Sequence, residues 1–324
     1  ADVLVKVDKK RADGKVIGMT ATDVTIEQSA MSDKIPVNEI LYIKFDDEPK
    51  NLEYARTAFL EEQYERALNY LQKIKPADLD RSEVKQDFDF LNAATAARVA
   101  LRGNGAIGDA GKQVLRFIAA YPNNYHHLEA LEMVGDLLGA VRQYPKAREY
   151  YEKLAKEAPW PDYQLRAAVA IGRMYAEDNK PAEAIKYFDK VLAAKAEDDL
   201  TVSQQLFATL GKARCLSETN QHDPAIKLVQ GLIEKTPADE SDLLAQAFNT
   251  LGNSLHKAGR TQEALYAFLR VDTLYSGNPE SHAEALANLH QLWKELRRPD
   301  RAAEAKQALE SQYPESRWAK GLEK

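Results

Sequence analysis

The chain has 324 residues, 44% hydrophobic and 29% charged, with a formal net charge of −6 at pH 7. That length admits two or three ordinary domains or one long repeat array. The mild acidity argues against a general nucleic-acid binder, because phosphate recognition needs a basic surface. Cys215 is the only cysteine, so no internal disulfide forms. No apolar run reaches the roughly 18–20 residues that cross a bilayer. The sequence opens on Ala1 rather than Met. This agrees with a mature form after signal-peptide removal or with a trimmed chain, and the expectation is export.

The first stretch alternates with a period of two. Val3, Val5 and Val7 share one predicted strand face, and Val16 and Gly18 come after a turn at Arg11-Ala12-Asp13-Gly14. Val24 and Ile26 come after a second turn, Thr20-Ala21-Thr22-Asp23. Ile35 and Val37 are split by Pro36, and Ile40 to Phe45 closes the set. β-Branched residues between polar turns read as about five short strands. Pro36 marks an edge strand or bulge. Residues 1–47 are thus expected to form a small all-β barrel-like domain. A core of that size is marginal alone, so it is expected to lean on the rest of the chain. The short joint Asp46-Asp47-Glu48-Pro49 points to a docked module rather than a tethered one.

Residues 48–324 change to a helical period. A small residue on one helix is matched twelve positions later by Ala on the next: Ala55/Ala67, Gly135/Ala147, Gly172/Ala184, Ala213/Ala225 and Gly252/Ala264. Antiparallel helices can approach closely only where side chains shrink, so these pairs predict hairpin crossings. Leu131, Leu138, Tyr144, Tyr151 and Leu154 fill one predicted groove, and Phe248, Leu251, Leu255, Leu265, Phe268 and Val271 another. Pro145, Pro181, Pro224 and Pro299 fall near the starts of second helices, where a missing N–H costs nothing. Pro76, Pro122, Pro159, Pro237, Pro279 and Pro314 fall after second helices. Seven hairpins result, at about 50–76, 83–122, 127–159, 163–195, 202–237, 242–276 and 281–314. The second is split by Arg102-Gly103-Asn104-Gly105, and the seventh sets His290 opposite Ala302.

The series Leu131…Val134-Gly135…Leu138…Tyr144…Ala147…Tyr151…Leu154…Pro159 and Phe248…Leu251-Gly252…Leu255…Ala264…Phe268…Val271 resembles the tetratricopeptide repeat (TPR) family over residues 50–314. The implied fold is mostly α, an α-α superhelix (TPR solenoid) of about seven hairpins. Ala147, Ala184, Ala225, Ala264 and Ala302 recur at 37–41 residues rather than the common 34. Such longer links are similar to those of bacterial envelope TPR proteins, as is the ending Tyr313-Pro314-Glu315-Ser316-Arg317-Trp318-Ala319. Gly14-Lys15-Val16-Ile17-Gly18 and Ile35-Pro36-Val37-Asn38-Glu39-Ile40 resemble the SH3-like or Sm-like modules ahead of TPR arrays in exported bacterial proteins. These resemblances imply an envelope or periplasmic location, with a cytoplasmic one as the alternative.

Catalytic chemistry has little to stand on. The six histidines form no tight metal-ligand spacing, and only His282 and His290 are placed to share a helix face. Cys215 sits among apolar residues and reads as a buried small hydrophobe rather than a nucleophile. Gly103-Asn104-Gly105-Ala106-Ile107-Gly108 is Gly-rich, but a helix precedes it where a strand would be needed, so it reads as a turn. No enzyme, cofactor or metal is expected, and the partner is expected to be a protein or peptide.

The resemblance places ligand-facing residues on first helices. They are Glu129, Glu132 and Asp136; Arg166, Val169 and Arg173; Phe207, Leu210 and Arg214; Gln246, Asn249, Asn253 and His256; and Gln291 and Lys294. Arginine beside apolar side chains combines bidentate recognition with burial. The competing reading is that Phe207 and Leu210 pack between neighbouring hairpins. Asn249 and Asn253 offer amides that both donate and accept. The Lys/Asn/Asn/Lys/Arg clamp of chaperone-binding TPR proteins has no match here. The alternative to a scaffold is an RNA-binding adaptor, with Lys9, Lys10 and Arg11 of the β module at phosphates.

Overall fold

The computed structural model describes residues 1–29, 31–103, 105–196 and 198–322. Asn104 of the expected turn in the second hairpin lies outside these, as do Ala30, Glu197, Glu323 and Lys324. The chain divides into two compact units, Ala1–Met174 and Tyr175–Lys324.

The first unit opens with five strands: β1 (Asp2–Lys6), β2 (Arg11–Met19), β3 (Asp23–Gln28), β4 (Met31–Pro36) and β5 (Ile40–Lys44). They form one antiparallel sheet in the order β4-β3-β2-β1-β5. β5 therefore returns to pair with β1, after a 3-10 turn at Val37–Glu39. Pro36 ends the edge strand β4, where its missing N–H breaks no ladder. Two expectations are corrected. Arg11–Gly14 is strand, and the turn lies at Val7–Lys10, where Lys9 adopts a φ of 66°. The inward side chain of β1 is Leu4, with Val5 also buried, whereas Val7 is exposed.

The same unit continues with α1 (Lys50–Leu60), α2 (Tyr64–Leu71), α3 (Ser82–Leu101), α4 (Ile107–Ala120), α5 (His127–Ala140), α6 (Tyr144–Glu157) and the start of α7 (Pro161–Glu177). Leu4, Val16, Ile43 and Phe45 of the sheet share one core with Leu52, Leu71, Val84 and Phe90 of the helices. The sheet does lean on the helices. Asp2 strengthens the joint: buried, it accepts from the Val16 and Asp46 N–H groups, both at 2.8 Å. It also takes a bidentate bond from Arg81, at 2.5 and 2.8 Å, in the link before α3. The Arg81 bond and the two backbone bonds outweigh burial and hold the Asp2 carboxyl below its usual range.

The second unit holds α8 (Pro181–Leu192), α9 (Asp199–Glu218), α10 (His222–Lys235), α11 (Ser241–Lys257), α12 (Thr261–Leu274), α13 (Pro279–Glu295), α14 (Pro299–Gln312) and a short α15 (Arg317–Gly321). Its core runs from Leu210 and Ala213 through Phe248 and Phe268 to Leu292 and Ala305. Pro279 begins α13, with Asn278 capping the Ser281 N–H, so it serves as a start as well as a stop.

Within the units, six of the expected hairpins are the helix pairs α1/α2, α3/α4, α5/α6, α9/α10, α11/α12 and α13/α14, and the fourth corresponds in chain order to α7 and α8, which fall on either side of the division. Among the described residues, the links within these helix pairs hold left-handed residues at Glu62, Gly103, Arg142, Asn179, Asn220, Gly259 and Arg297. The small-residue rule is refined. A Cβ on Gly135 would lie 2.6 Å from the Tyr151 ring, and one on Gly252 2.7 Å from the Phe268 ring. The glycines are thus notches for an aromatic sixteen positions on, rather than for the intervening alanine. Gly211, outside the expected pairs, is a third notch, filled by Phe188 from the preceding hairpin.

Candidate protein-interaction surface

In the first unit, α5 and α7 bring the expected acids and arginines together. Arg166 pairs with Glu132 at 3.0 Å and Arg173 with Asp136 at 3.3 Å. The acid patch on one helix and the basic patch on the next therefore neutralise each other. Arg166 also lies 4.2 Å over the Tyr163 ring, a cation–π contact. Its Nε is buried and makes no hydrogen bond. Burial raises the Glu132 carboxyl above its usual range, with Arg166 opposing the rise. The Tyr151 hydroxyl donates to Asp136 at 2.7 Å, so the notch aromatic also helps to hold this surface. Val169 is half-buried and Arg173 exposed.

Behind this surface runs a buried polar network that no residue spacing in the sequence signals. Arg56 on α1 makes a bidentate bond to Glu48, 2.8 Å on each arm, and reaches Asp87 on α3 at 2.7 Å. Asp87 also accepts from the Tyr125 hydroxyl at 2.9 Å and faces His126 Nε2 at 3.3 Å. Burial pushes the Asp87 carboxyl up. The Arg56 charge and the His126 bond outweigh this and hold it down at about 2. A charge at a packing position of an otherwise apolar helix, such as Asp87 between Val84 and Phe90, is the one cue the sequence offers.

In the second unit, Phe207 and Arg214 lie seven residues apart on α9 and are both exposed, Phe207 by 44%. Seven residues are close to two helical turns, so the two side chains share a face about 10 Å apart along the axis. Arg214 makes no hydrogen bond or ion pair among the described residues. Its charge is felt by Glu284, whose carboxyl burial nevertheless raises. The expectation of exposed positions fails at two residues. Leu210 is core, packed with Ala213 and Leu216, because its angular position faces the neighbouring helices. Asn249 is buried and donates to the Ser281 carbonyl at 2.8 Å, joining α11 to α13. Asn253 donates to Glu284 at 3.0 Å, and His256 pairs with Glu295 at 2.9 Å. These amides and this imidazole are engaged within the unit.

The remaining histidines do not converge. His282 bridges Asp272 and the Tyr313 hydroxyl, both at 2.8 Å. His290 Nδ1 donates to the Ala302 carbonyl at 2.8 Å, so the irregular seventh hairpin replaces a small residue with a hydrogen bond. Cys215 is buried, and burial pushes its thiol up to about 11, away from nucleophile chemistry. Among the described residues no helix is long and apolar enough to cross a membrane.

Residues 167–203 match the family model for the tetratricopeptide repeat. No curated protein matches the chain. Several solved structures are similar in fold. A tetratricopeptide repeat protein from Parabacteroides merdae is 17% identical with a TM-score of 0.62, covering 84% of this chain and 96% of that one. PilW, a widely conserved type IV pilus biogenesis factor, is 19% identical with a TM-score of 0.52, covering 73% and 98%. NprR in complex with its cognate peptide NprX is 15% identical with a TM-score of 0.56, covering 85% and 81%. The chain is therefore a mostly helical, TPR-like array of hairpins with an antiparallel five-stranded sheet at its N-terminal end.

Proposed function

We propose that the chain is a non-enzymatic scaffold that binds a protein or peptide along the first-helix faces of its hairpins, in a bacterial cell envelope. The observation that carries this reading is the pairing of exposed Phe207 with Arg214 on α9. An apolar anchor and an unengaged guanidinium on one helix face suit a ligand with an apolar side chain and a carboxylate about 10 Å apart. In the first unit Arg166 and Arg173 already hold Glu132 and Asp136, so a ligand there has to exchange one ion pair for another. NprR, whose structure contains a bound peptide, supports a peptide as the ligand class. PilW and the resemblance to envelope TPR proteins support the location. Within this reading, residues 1–47 are an SH3-like or Sm-like module and residues 48–324 the binding array. The return of β5 onto β1 through a 3-10 turn supports the former.

The test is capture from a native envelope extract by the wild-type chain and by Phe207→Ser with Arg214→Glu. The double variant should lose the partner while its helical melt is unchanged. Equal capture by a folded double variant would contradict the assignment of this face.

A further inference from the structure

The imidazole of His126 is wedged between two carboxylates. Its Nε2 lies 3.3 Å from Asp87 Oδ1 on α3, and its Nδ1 lies 3.1 Å from Glu129 Oε2 on α5. The ring stacks on Phe90 at 3.6 Å between centroids, with an 8° interplanar angle, and is largely buried. Ionised carboxylates only accept hydrogen bonds. Both ring nitrogens must therefore donate, and only the doubly protonated imidazolium has two N–H groups. After losing one proton the ring can donate to only one carboxylate, and the other faces a lone pair; Asp87 is shut off from water, whereas Glu129 is 37% exposed.

The two carboxylates are not equally provided for. Asp87 keeps Arg56 and the Tyr125 hydroxyl whatever the state of the ring. Glu129 makes its one hydrogen bond among the described residues to His126, with only the longer-range charges of Arg98 on α3 and Arg166 on α7 beyond it. Loss of the proton therefore falls on the α5 side. The segment there is short: Asn124 accepts from the His126 N–H at 2.9 Å and donates to Gln86 at 2.9 Å.

We propose that His126 is a proton-operated latch on the first turn of α5: doubly protonated, the ring holds Glu129 while bound to Asp87 on α3, and neutral it keeps the Asp87 bond and releases Glu129. Burial opposes the charged ring, but the Asp87 and Glu129 bonds outweigh it, and the net direction is upward from the ordinary histidine value. A raised folded-state value contributes stability that is full below the unfolded value of about 6.5 and is lost as pH rises through the folded value. The latch is thus closed below the ordinary histidine value and opens as pH rises through the ring's own, higher value.

The experiment tracks the full-length chain by NMR from about pH 5 to 9, reading the His126 ring nitrogens and the exchange protection of amides 124–130. In the wild type both nitrogens should report N–H at acid pH. Protection, corrected for intrinsic exchange, should then fall about tenfold for each unit by which the ring's titration exceeds 6.5. His126→Phe keeps the stack on Phe90 but has no proton to lose, and its corrected protection should be flat across that range. A wild-type ring that is neutral at about pH 6, a wild type with no step in protection, or the same step in His126→Phe would each overturn the proposal. Should His126→Phe fail to fold, His126→Gln takes its place, and the wild-type ring titration decides the matter independently.

Discussion

Gly252 on α11 sits where a single methyl group would come within 2.7 Å of the Phe268 ring on α12. Phe268 is fully buried and has no space to swing aside. The same relationship joins Gly135 to Tyr151, so the α5/α6 and α11/α12 hairpins are each set by a hydrogen on one helix and an aromatic ring on the other.

Gly252→Ala should therefore destabilise the protein by about 1–3 kcal/mol through overpacking, although alanine is the better helix former. Gly231, within α10, has nothing within reach of an added Cβ. Gly231→Ala should stabilise by about 0.5–1 kcal/mol, because it removes only the glycine's entropic cost. Chemical denaturation of both variants checks this opposition in sign.

Gly259 turns the α11/α12 hairpin at a φ of 76°. The space around it is open, so a substitution meets strain in the backbone rather than a clash. Gly259→Ala should cost about 1–2 kcal/mol, the penalty of a left-handed conformation for a residue with a Cβ. A neutral result in the same denaturation assay would mean that the turn has another conformation.

Asp87 carries a low-pH signature. Its folded value is held at about 2, below the ordinary carboxylate value. A depressed value contributes stability that is present above the unfolded value of about 3.9 and lost as pH falls through the folded one. Wild-type stability should thus drop between about pH 4 and pH 2 by more than that of Asp87→Asn. At neutral pH, Asp87→Ala should cost about 1–3 kcal/mol, because Arg56 keeps Glu48 but loses its second carboxylate and the buried Tyr125 hydroxyl loses its acceptor. Thermal melts across that pH range compare the three proteins.

The fold was legible because its signals are periodic. The alternation of β-branched residues, the switch to a 3.6-residue repeat and the recurrence of Ala147, Ala184, Ala225 and Ala264 each report local geometry. The glycine notches are half-legible: residue spacing puts Gly135 and Gly252 at crossings, but their aromatic partners are named only by three-dimensional contact. Gly211 was missed because Phe188 belongs to the preceding hairpin. The candidate surface was less legible still. Position on a first helix does not tell an exposed Phe207 from a buried Leu210 three residues on, since that depends on the tilt of neighbouring helices. The ion pairs of Arg166 and Arg173 with α5 required knowing that the two helices lie side by side. The Glu48–Arg56–Asp87 network spans three separate elements, and no sequence spacing encodes it.

The claim that ligand contact belongs to the first-helix face of α9 is tested most directly by photo-crosslinking from two positions in the second unit. One probe replaces Phe207 on α9, and the other replaces Tyr266 on α12, which is 66% exposed and so is the more accessible apolar side chain. The account predicts a discrete crosslinked partner from position 207 and none from position 266. Crosslinking from 266 alone, or equally from both, would contradict it.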